Sequence, residues 1–520
     1  MKIDEHQRQI WIVDFGSQYT QLITRKTREL GHSSAIITLD EVREKFDSGE
    51  KPECLVLSGG PDSISTDETD YSFLFDKDLP ILGICYGLQV MADYFGGKVS
   101  PGTQAEYGHA EIFLKNKFEL PGCPEHFHVW MSHFDHVEKV PEGFTLIMES
   151  HNGMVAGIRD KDRKMMGLQF HPEVEHSSYG KEILKYFYSE VAKLDEDWGK
   201  GAMLEEATEL VKKVGDRKVL CAFSGGVDSL VAATIAHEVI GDNLYCFFVD
   251  HGLLRPQDYG HIKTLQKETP LNIEIIDARD DFMSKLKGVS DPEEKRKIIG
   301  HTFIEVFEKK VHDFENEKGI NFEFLLQGTL YPDVIESTSP HKKGGKSVTI
   351  KSHHNVGGLP ERMKLELLEP LRFMFKDEGR KIGEELGLKH EWVYRHPFPG
   401  PGIGIRVLGE LFDDSIRKVG ESDQILFEEL HAYKIYESVA QAFTVLLPVK
   451  TVGVKGDGRA YEEVICLRLV STTDYMTATW SDLPREFLSR VSSRITNEVK
   501  GVTRVVYDIT SKPPGTIEWE

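Results

Sequence analysis

Ile81-Leu82-Gly83-Ile84-Cys85-Tyr86-Gly87 is an apolar run ending in a glycine-flanked cysteine, and the helical pattern Leu88–Phe95 follows at once. A buried strand, a tight turn and a helix are predicted, with Cys85 at the turn. Glycines on both sides permit a strained backbone that leaves the central side chain exposed, the geometry of a nucleophile elbow. The alternation continues outward. Ile10–Phe15, Cys54–Leu57 and Gly167–Phe170 read as further strands, Tyr19–Leu30 as a helix, and Ser178–Lys193 as a closing helix. Such βα units imply a mainly parallel sheet covered on both faces.

A second alternating region follows the segment Leu194–Gly201, which reads as a linker whose acidic run Asp195-Glu196-Asp197 is solvated. Val219–Phe223, Leu244–Val249, Ile273–Ile276 and Phe322–Leu326 are strand candidates between helical stretches. They predict a second doubly wound domain with functional loops at the carboxyl ends of its strands. Arg395-His396-Pro397-Phe398-Pro399-Gly400-Pro401-Gly402 interrupts any regular element and reads as a domain junction. Beyond it, Thr451–Lys455, Val464–Leu469 and Thr503–Ile509 look like strands around a helical Arg485–Val499, a smaller α+β unit. The expected fold class is α/β: two doubly wound, mainly parallel-sheet domains over residues 1–197 and 198–395, then an α+β domain over 396–520.

Composition sets the bounds. The chain has 520 residues, 40% hydrophobic and 28% charged, room for about three globular domains. A net charge of −22 argues against a sequence-independent nucleic-acid binder, which needs a basic footprint. The six cysteines form no CxxC pair, which favours a reducing, cytoplasmic setting. The N-terminal MKIDEHQRQIWIVDF has no signal-peptide core, and no 18-residue apolar run occurs, so no membrane span is expected.

Cys85 at a helix N-terminus is placed for thiolate chemistry. The dipole and a nearby histidine can bring a cysteine pKa from ~8.5 into the range ~3.5–7.5. His171-Pro172-Glu173 supplies the partners. Residues two apart in an extended segment leave the same face, so Glu173 can accept one imidazole N–H while the other ring nitrogen faces Cys85. Backbone N–H groups of Gly59, in Ser58-Gly59-Gly60-Pro61, and of Tyr86 are the candidate oxyanion hole.

Ser224-Gly225-Gly226-Val227-Asp228-Ser229 follows an apparent strand and opens the helical stretch Leu230–Ile240. Backbone N–H groups, serine hydroxyls and a helix dipole together make an anion site. No Lys-Ser/Thr follows as in a Walker A loop, so the γ-phosphate grip of a kinase is absent. A loop of this kind suits cleavage between the α- and β-phosphates of ATP, giving a substrate–AMP adduct and pyrophosphate. Such chemistry calls for Mg²⁺, with Asp228 the nearest candidate ligand. Gly344-Gly345-Lys346-Ser347 resembles a Walker motif, but Pro340 stands where its first glycine belongs.

These residues resemble the glutamine-hydrolysing GMP synthetase family over nearly the whole chain. Asp14-Phe15-Gly16-Ser17-Gln18-Tyr19, Ser58–Pro61, Gly83–Gly87 and His171–Glu173 are similar to a class I glutamine amidotransferase. Ser224–Ser229 resembles an N-type ATP pyrophosphatase, with Lys295-Arg296-Lys297-Ile298-Ile299-Gly300 and Gln327-Gly328-Thr329 as further matches. Ser511–Glu520 is similar to that family's XMP-binding tail. The resemblance implies a Cys85, His171 and Glu173 triad, and an ATP loop of Ser224, Gly225, Gly226, Val227, Asp228, Ser229 and Leu230. It implies XMP contacts at Arg296, Gln441, Arg504, Lys512, Ile517 and Glu518, and a lid of Lys351, His353, His354, Asn355, Lys376 and Asp377. Substrates would be XMP, ATP with Mg²⁺, and L-glutamine, with no organic prosthetic group, and the chain would be a homodimer through its C-terminal domain. Leu230, His251, Phe134 and His136 depart from the family's usual residues. Without the resemblance, Lys295-Arg296-Lys297 reads as a solvated face. A glutamine-dependent NAD synthetase and a non-catalytic nucleotide-binding regulator are the two other readings.

Overall fold

The computed structural model describes residues 8–174, 176–331, 333, 365–455, 458–472 and 477–520. The chain forms two compact units, one built on the residues up to Met203 and one on those from Leu204 onward.

The first unit holds nine strands: β1 (Ile10–Val13), β2 (Ser34–Ile37), β3 (Cys54–Leu57), β4 (Ile81–Ile84), β5 (Lys98–Leu114), β6 (His126–Lys139), β7 (Thr145–Ser150), β8 (Val155–Asp160) and β9 (Met165–Leu168). Their order in the sheet is β2-β1-β3-β4-β9-β8-β7-β5-β6. From β2 to β9 all pairs are parallel, and every residue of β1, β3, β4 and β9 is buried. Alternate side chains enter two cores, Ile10, Ile12, Val56 and Leu82 on one face and Trp11, Val13, Leu55 and Leu57 on the other. This two-sided burial is why the strands read as unbroken apolar runs. The half from β9 to β6 is antiparallel. Along β6 buried and open positions alternate, as on a sheet with one wet face. That weaker signal is why the antiparallel wing does not stand out in the sequence.

The Leu194–Gly201 segment is not a free linker. Asp197 accepts from Ser33 N at 2.6 Å and from Ser33 Oγ at 2.5 Å, and Asp195 O accepts from Gln9 Nε2 at 2.9 Å. Asp197 N and Trp198 N both donate to Gly31 O. The buried Trp198 ring lies against the guanidinium groups of Arg8 and Arg28, at 4.7 and 5.2 Å. The acidic run is exposed, as expected, but it is fastened on one side through Asp195 and Asp197.

The second unit contains a five-stranded parallel sheet of β10 (Lys218–Ala222), β11 (Leu244–Asp250), β12 (Ile273–Asp277), β13 (Phe322–Leu326) and β14 (Glu366–Leu368), in the order β12-β11-β10-β13-β14. The chain runs outward from β10 on one side and returns to add β13 on the other. The carboxyl ends of β10 and β13 are thus a topological switch point, where open α/β sheets bind ligands. The last sheet comprises the long hairpin β15 (Gln441–Lys455) and β16 (Gly458–Ser471), β17 (Thr479–Trp480), and β18 (Val502–Tyr507), parallel to β16. Helices Asp413–Ala432 and Arg485–Glu498 belong with it.

One hydrophobic core runs through Phe247, Leu325 and Phe307 of the parallel-sheet region and on into Val419, Leu446, Ile465 and Val491. The Arg395–Gly402 segment, expected as a junction, is a packed seam. His396 stacks on Tyr436 at 4.1 Å, and Phe398 lies under the guanidinium of Arg255. The expected division at residue 396 does not separate two cores.

Replacing Asp197 by alanine should strip Ser33 of both its acceptors, a loss of about 1–3 kcal/mol locally. Amide hydrogen exchange at Ser33 and Trp198 should speed up accordingly, while exchange in β10 and β11 stays as it was.

Candidate active sites

In the first unit β4 delivers Cys85 into the turn before the helix Tyr86–Tyr94. Cys85 adopts φ +53°, ψ −104°, a conformation that L side chains rarely take. Close packing enforces it. A Cβ on Gly87 would lie 2.4 Å from Leu57 O, and one on Gly83 would lie 2.6 Å from Gly87 O. Gly87 N donates to Ser58 O at 3.0 Å and Cys85 N to Leu168 O at 2.7 Å, which ties the elbow to the strands on either side.

His171 and Glu173 reach the same place from the end of β9. His171 Nδ1 and Glu173 Oε1 are 2.7 Å apart, and both side chains are buried. His171 N donates to Trp130 O, Ser177 Oγ donates to His171 O, and the Tyr19 ring packs edge-on at 4.9 Å. Burial alone would push the His171 pKa down. The Glu173 charge and a hydrogen bond with Cys85 outweigh it and raise the pKa to about 10. At neutral pH the ring is an imidazolium held between a carboxylate and a sulfur.

A cavity of about 580 Å³ opens in front of Cys85, lined by Ser17, Tyr19, Gln89, Phe134 and His171 among others. A Cβ on Gly59 would lie 3.1 Å from His171 Cε1, so this residue also borders the site. The Tyr86 hydroxyl donates to Asp67, as does that of Tyr71. Burial and Asp67 together hold the Tyr86 pKa far above its ordinary value. Sequence reading did not single out Gln89, Asp67 or Ser177. Gln89 was within reach, since it lies four residues after Cys85 and so shares its helix face. Its Nε2 donates to Asp135 O at 2.8 Å. Asp67 and Ser177 sit in irregular segments with no periodic signal.

In the second unit the loop after β10 is braced internally. Ser224 Oγ and Ser229 Oγ are 3.0 Å apart, Ser229 Oγ donates to Gly226 O, and Gly226 N donates to Ser224 Oγ. The helix begins at Val227, so Asp228 and Ser229 lie in its first turn. Gly225 has φ +73°, and a Cβ there would meet Ile262 at 2.1 Å. Gly328, beyond β13, packs so closely that its Cβ would lie 2.6 Å from the carbonyl carbon of Asp228. Lys376 Nζ stands 3.9 Å from Asp228 Oδ2, and a third of each side chain stays open. Burial raises the Asp228 pKa and the neighbouring Asp333 adds to this, against Lys376 and Arg380. Asp377 pairs with Lys381 at 3.5 Å. Leu230 turns inward: its side chain is fully buried and its N–H bonds Gly226 O, so it offers packing, not a ligand-facing group. His251, held neutral by burial with a pKa of about 4, accepts Leu253 N on Nδ1 at 3.0 Å. An asparagine side chain can accept the same i+2 bond.

Of the residues expected at XMP, four gather. Gln441 Nε2 donates to Glu518 Oε1 at 2.8 Å, Ile517 O accepts from Arg468 Nε, and Arg296 donates to the main chain of Glu520. Arg406 grips Glu518 through Nη2 at 2.9 Å and Nε at 3.3 Å. Arg504 lies apart on β18, exposed, with Nε directed to Thr451 Oγ1. Lys512 exchanges main-chain bonds with Ala478. Lys295 is fully buried, contrary to a solvated face. Lys351, His353, His354 and Asn355 lie outside the described residues.

A cysteine elbow on one doubly wound sheet and a pyrophosphate-type loop on another define an amidotransferase joined to an ATP-using ligase. The chain matches the families described as Glutamine amidotransferase class-I over residues 11–191, NAD synthase over 202–298, and GMP synthase C terminal domain over 428–519. It is 50% identical over 517 residues to a GMP synthase (glutamine-hydrolyzing) of Aquifex aeolicus, covering 99% of each chain. It is 48% identical to the protein of the same name from Thermosipho africanus, covering 98% of this chain and 99% of that one. A crystal structure of a putative GMP synthase subunit from Thermoplasma acidophilum aligns with 34% of this chain and 90% of its own, at 34% identity and TM-score 0.32. The chain belongs to the glutamine-hydrolysing GMP synthase family. The NAD synthase match ends at residue 298, and the GMP synthase C-terminal match sets the NAD synthetase reading aside.

Glu173→Gln should remove the charge that outweighs burial at His171. The folded pKa now lies above the ordinary 6.5, so the imidazolium persists until pH rises toward about 10. In the variant the alkaline limb of glutaminase activity should move down by about two units, as measured by glutamate release against pH.

Proposed function

We propose that the chain makes GMP from XMP, ATP and glutamine, releasing nitrogen at Cys85 and consuming it at the Ser224–Ser229 loop. The observation that carries this is the buried His171–Glu173 pair at a strained cysteine elbow, in a chain that also bears an anion loop at a sheet switch point.

Cys85 Sγ attacks the side-chain carbonyl carbon of glutamine. N–H groups of Gly59 and Tyr86 receive the oxyanion, and the His171 imidazolium gives its proton to the departing amine. Ammonia leaves, and a thioester remains on Cys85. Water then attacks the thioester with His171 as base, and glutamate is released. Glu173 keeps the ring oriented and balances its charge.

In the second half-reaction the 2-carbonyl oxygen of XMP attacks the α-phosphorus of ATP and pyrophosphate departs. Ammonia then displaces AMP to give GMP. Ser224, Gly225, Gly226 and Ser229 would cradle the pyrophosphate, with the N-terminus of the Val227–Ile240 helix behind them. The donor set suits Mg²⁺, which commonly takes one or two carboxylates and fills its shell with phosphates and water. Asp228, with Asp333 close enough to raise its pKa, would hold it. When bound, the ion would neutralise charge on the phosphates. Lys376 and Asp377 would belong to the lid. Arg296, Gln441, Ile517 and Glu518 would hold XMP, with Arg504 and Lys512 contributing from β18 and the segment after it. Residues 1–197 would act as the amidotransferase, 198–395 as the adenylating domain and 396–520 as the XMP-binding and dimerisation domain.

A homodimer fits the last sheet. Val449, Val452, Val454, Tyr461, Val506 and Ile509 are exposed on or beside β15, β16 and β18, with Val454 77% open. Val452 and Tyr461 are cross-strand partners and Val454 follows on the same face, and an exposed apolar patch of this kind marks an interaction surface. Among the described residues no helix is long and apolar enough to cross a membrane.

Cys85→Ala should abolish glutamine-driven GMP formation and leave the ammonia-driven rate within about twofold, because removing a nucleophile costs only the step it performs. Failure of ammonia to rescue a folded variant would overturn the two-site reading. Asp228→Asn should slow pyrophosphate release with either nitrogen source by about tenfold or more. A pyrophosphate burst of wild-type rate with XMP, ATP and Mg²⁺ but no nitrogen donor would remove Asp228 from the phosphate site.

A further inference from the structure

Lys295 lies on the helix Pro292–Lys318 with no exposed surface, and its ammonium meets three acceptors: Glu520 Oε2 at 2.6 Å, Val407 O at 2.7 Å and Gly404 O at 3.3 Å. An ammonium has three donors, so its capacity is filled. Of the three acceptors Glu520 alone carries charge, and a buried cation left unpaired is strongly unfavourable. The neighbouring Arg296 donates to the main-chain oxygen of the same Glu520. One residue therefore takes two successive cations of one helix through two different groups.

Two positions earlier, Glu518 is held from other elements, by Arg406 after the Gly402–Ile405 turn and by Gln441 at the start of β15. Between them Trp519 Nε1 donates to Asp508 Oδ2 at 2.9 Å. Segment 516–520 is thus pinned residue by residue. Arg406 and Gln441 fix Glu518, and Glu520 fixes the same strand of chain to the helix bearing Arg296.

We propose that Glu520 is a positioning residue for XMP recognition: by pairing with buried Lys295 and accepting from Arg296 it sets the spacing between Arg296 and Glu518. This rests on the reading that Arg296, Gln441 and Glu518 hold XMP. Glu520 itself touches no substrate. Loss of its carboxylate leaves Lys295 on two carbonyls and removes the ion pair that holds the main-chain oxygen of residue 520 in register for Arg296, so the two ends of the site lose their common reference.

The test uses the full-length protein in the ammonia-driven reaction, with initial rates taken against XMP and, separately, against ATP. Glu520→Ala should raise the XMP KM about tenfold or more, as expected for breaking a charged hydrogen bond. The ATP KM and the kcat at saturating XMP should stay within about twofold. Glu520→Gln keeps the side chain's shape and one acceptor, so it should fall between wild type and alanine, and it carries the test if the alanine variant does not fold. Arg296→Ala and Glu518→Gln run in parallel. An unchanged XMP KM in both overturns the XMP reading. A raised KM in these two with an unchanged KM in the Glu520 variants overturns the proposal alone. Equal rises in the XMP and ATP constants with a lower kcat would also overturn it, since general loosening predicts that pattern.

Discussion

Both chemical stations depend on backbone passing closer to backbone than any side chain permits. Leu57 O occupies the space where a Gly87 Cβ would sit, and the carbonyl carbon of Asp228 does the same for Gly328. Gly180 is more extreme, with Pro172 O 1.9 Å from its ideal Cβ, directly beneath the His171–Glu173 segment. These contacts let each strand-to-helix turn nest against its neighbour in the sheet. Nesting then holds Cys85 in a strained conformation and keeps the Ser224–Ser229 loop compact. The strain at Cys85 is sustained by the packing around it, as strained functional residues require.

What could be read in the sequence follows from this. Arrangements carried by local runs were legible: the Cys85 elbow, the His171–Glu173 pair two residues apart, and the glycine loop after β10. Each needs only a strand, a turn and a short spacing. The five parallel strands of the first sheet were legible in part, because burial on both faces writes an unbroken apolar run. The antiparallel wing was not, since β5 and β6 are long with shifts of register between them, and β6, carrying four histidines, buries only alternate side chains. Lys295 was misread, and Asp197, exposed as expected, has a partner that was not foreseen. Composition assigns a charged residue to solvent, and only the fold brings it a partner, Glu520 and Ser33 respectively. Leu230 shows the converse, a position inside a motif whose side chain serves the core.

The same distinction separates the two sites energetically. The amidotransferase site is a single compact pair in a cavity. The region around Glu518 belongs to an extended buried array in which charges alternate: Arg395, Asp258, Arg255, Asp423, Arg406 and Glu518. Asp423 sits at its centre, fully buried, with its second oxygen accepting from Thr444 N and Oγ1. The Phe398, Phe427 and Phe443 rings lie against the guanidinium planes of Arg255 and Arg406. Three cations and three anions cancel. The array gains geometric specificity from its forked arginines more than it gains net stability, because desolvation offsets most of the attraction.

That alternation constrains how the chain can evolve. Any interior member, changed alone, leaves the array with one uncompensated buried charge, worth about 3–5 kcal/mol. A single-step path through sequence space is therefore nearly closed at Arg255, Asp423 and Arg406. Lineages can cross only by paired exchange, or by replacing the whole string with apolar side chains of similar volume. Either route would uncouple Glu518 from Asp258, which lies 260 positions earlier in the chain. Across descendants of this sequence these positions should behave as one inherited character, fixed together or rewritten together.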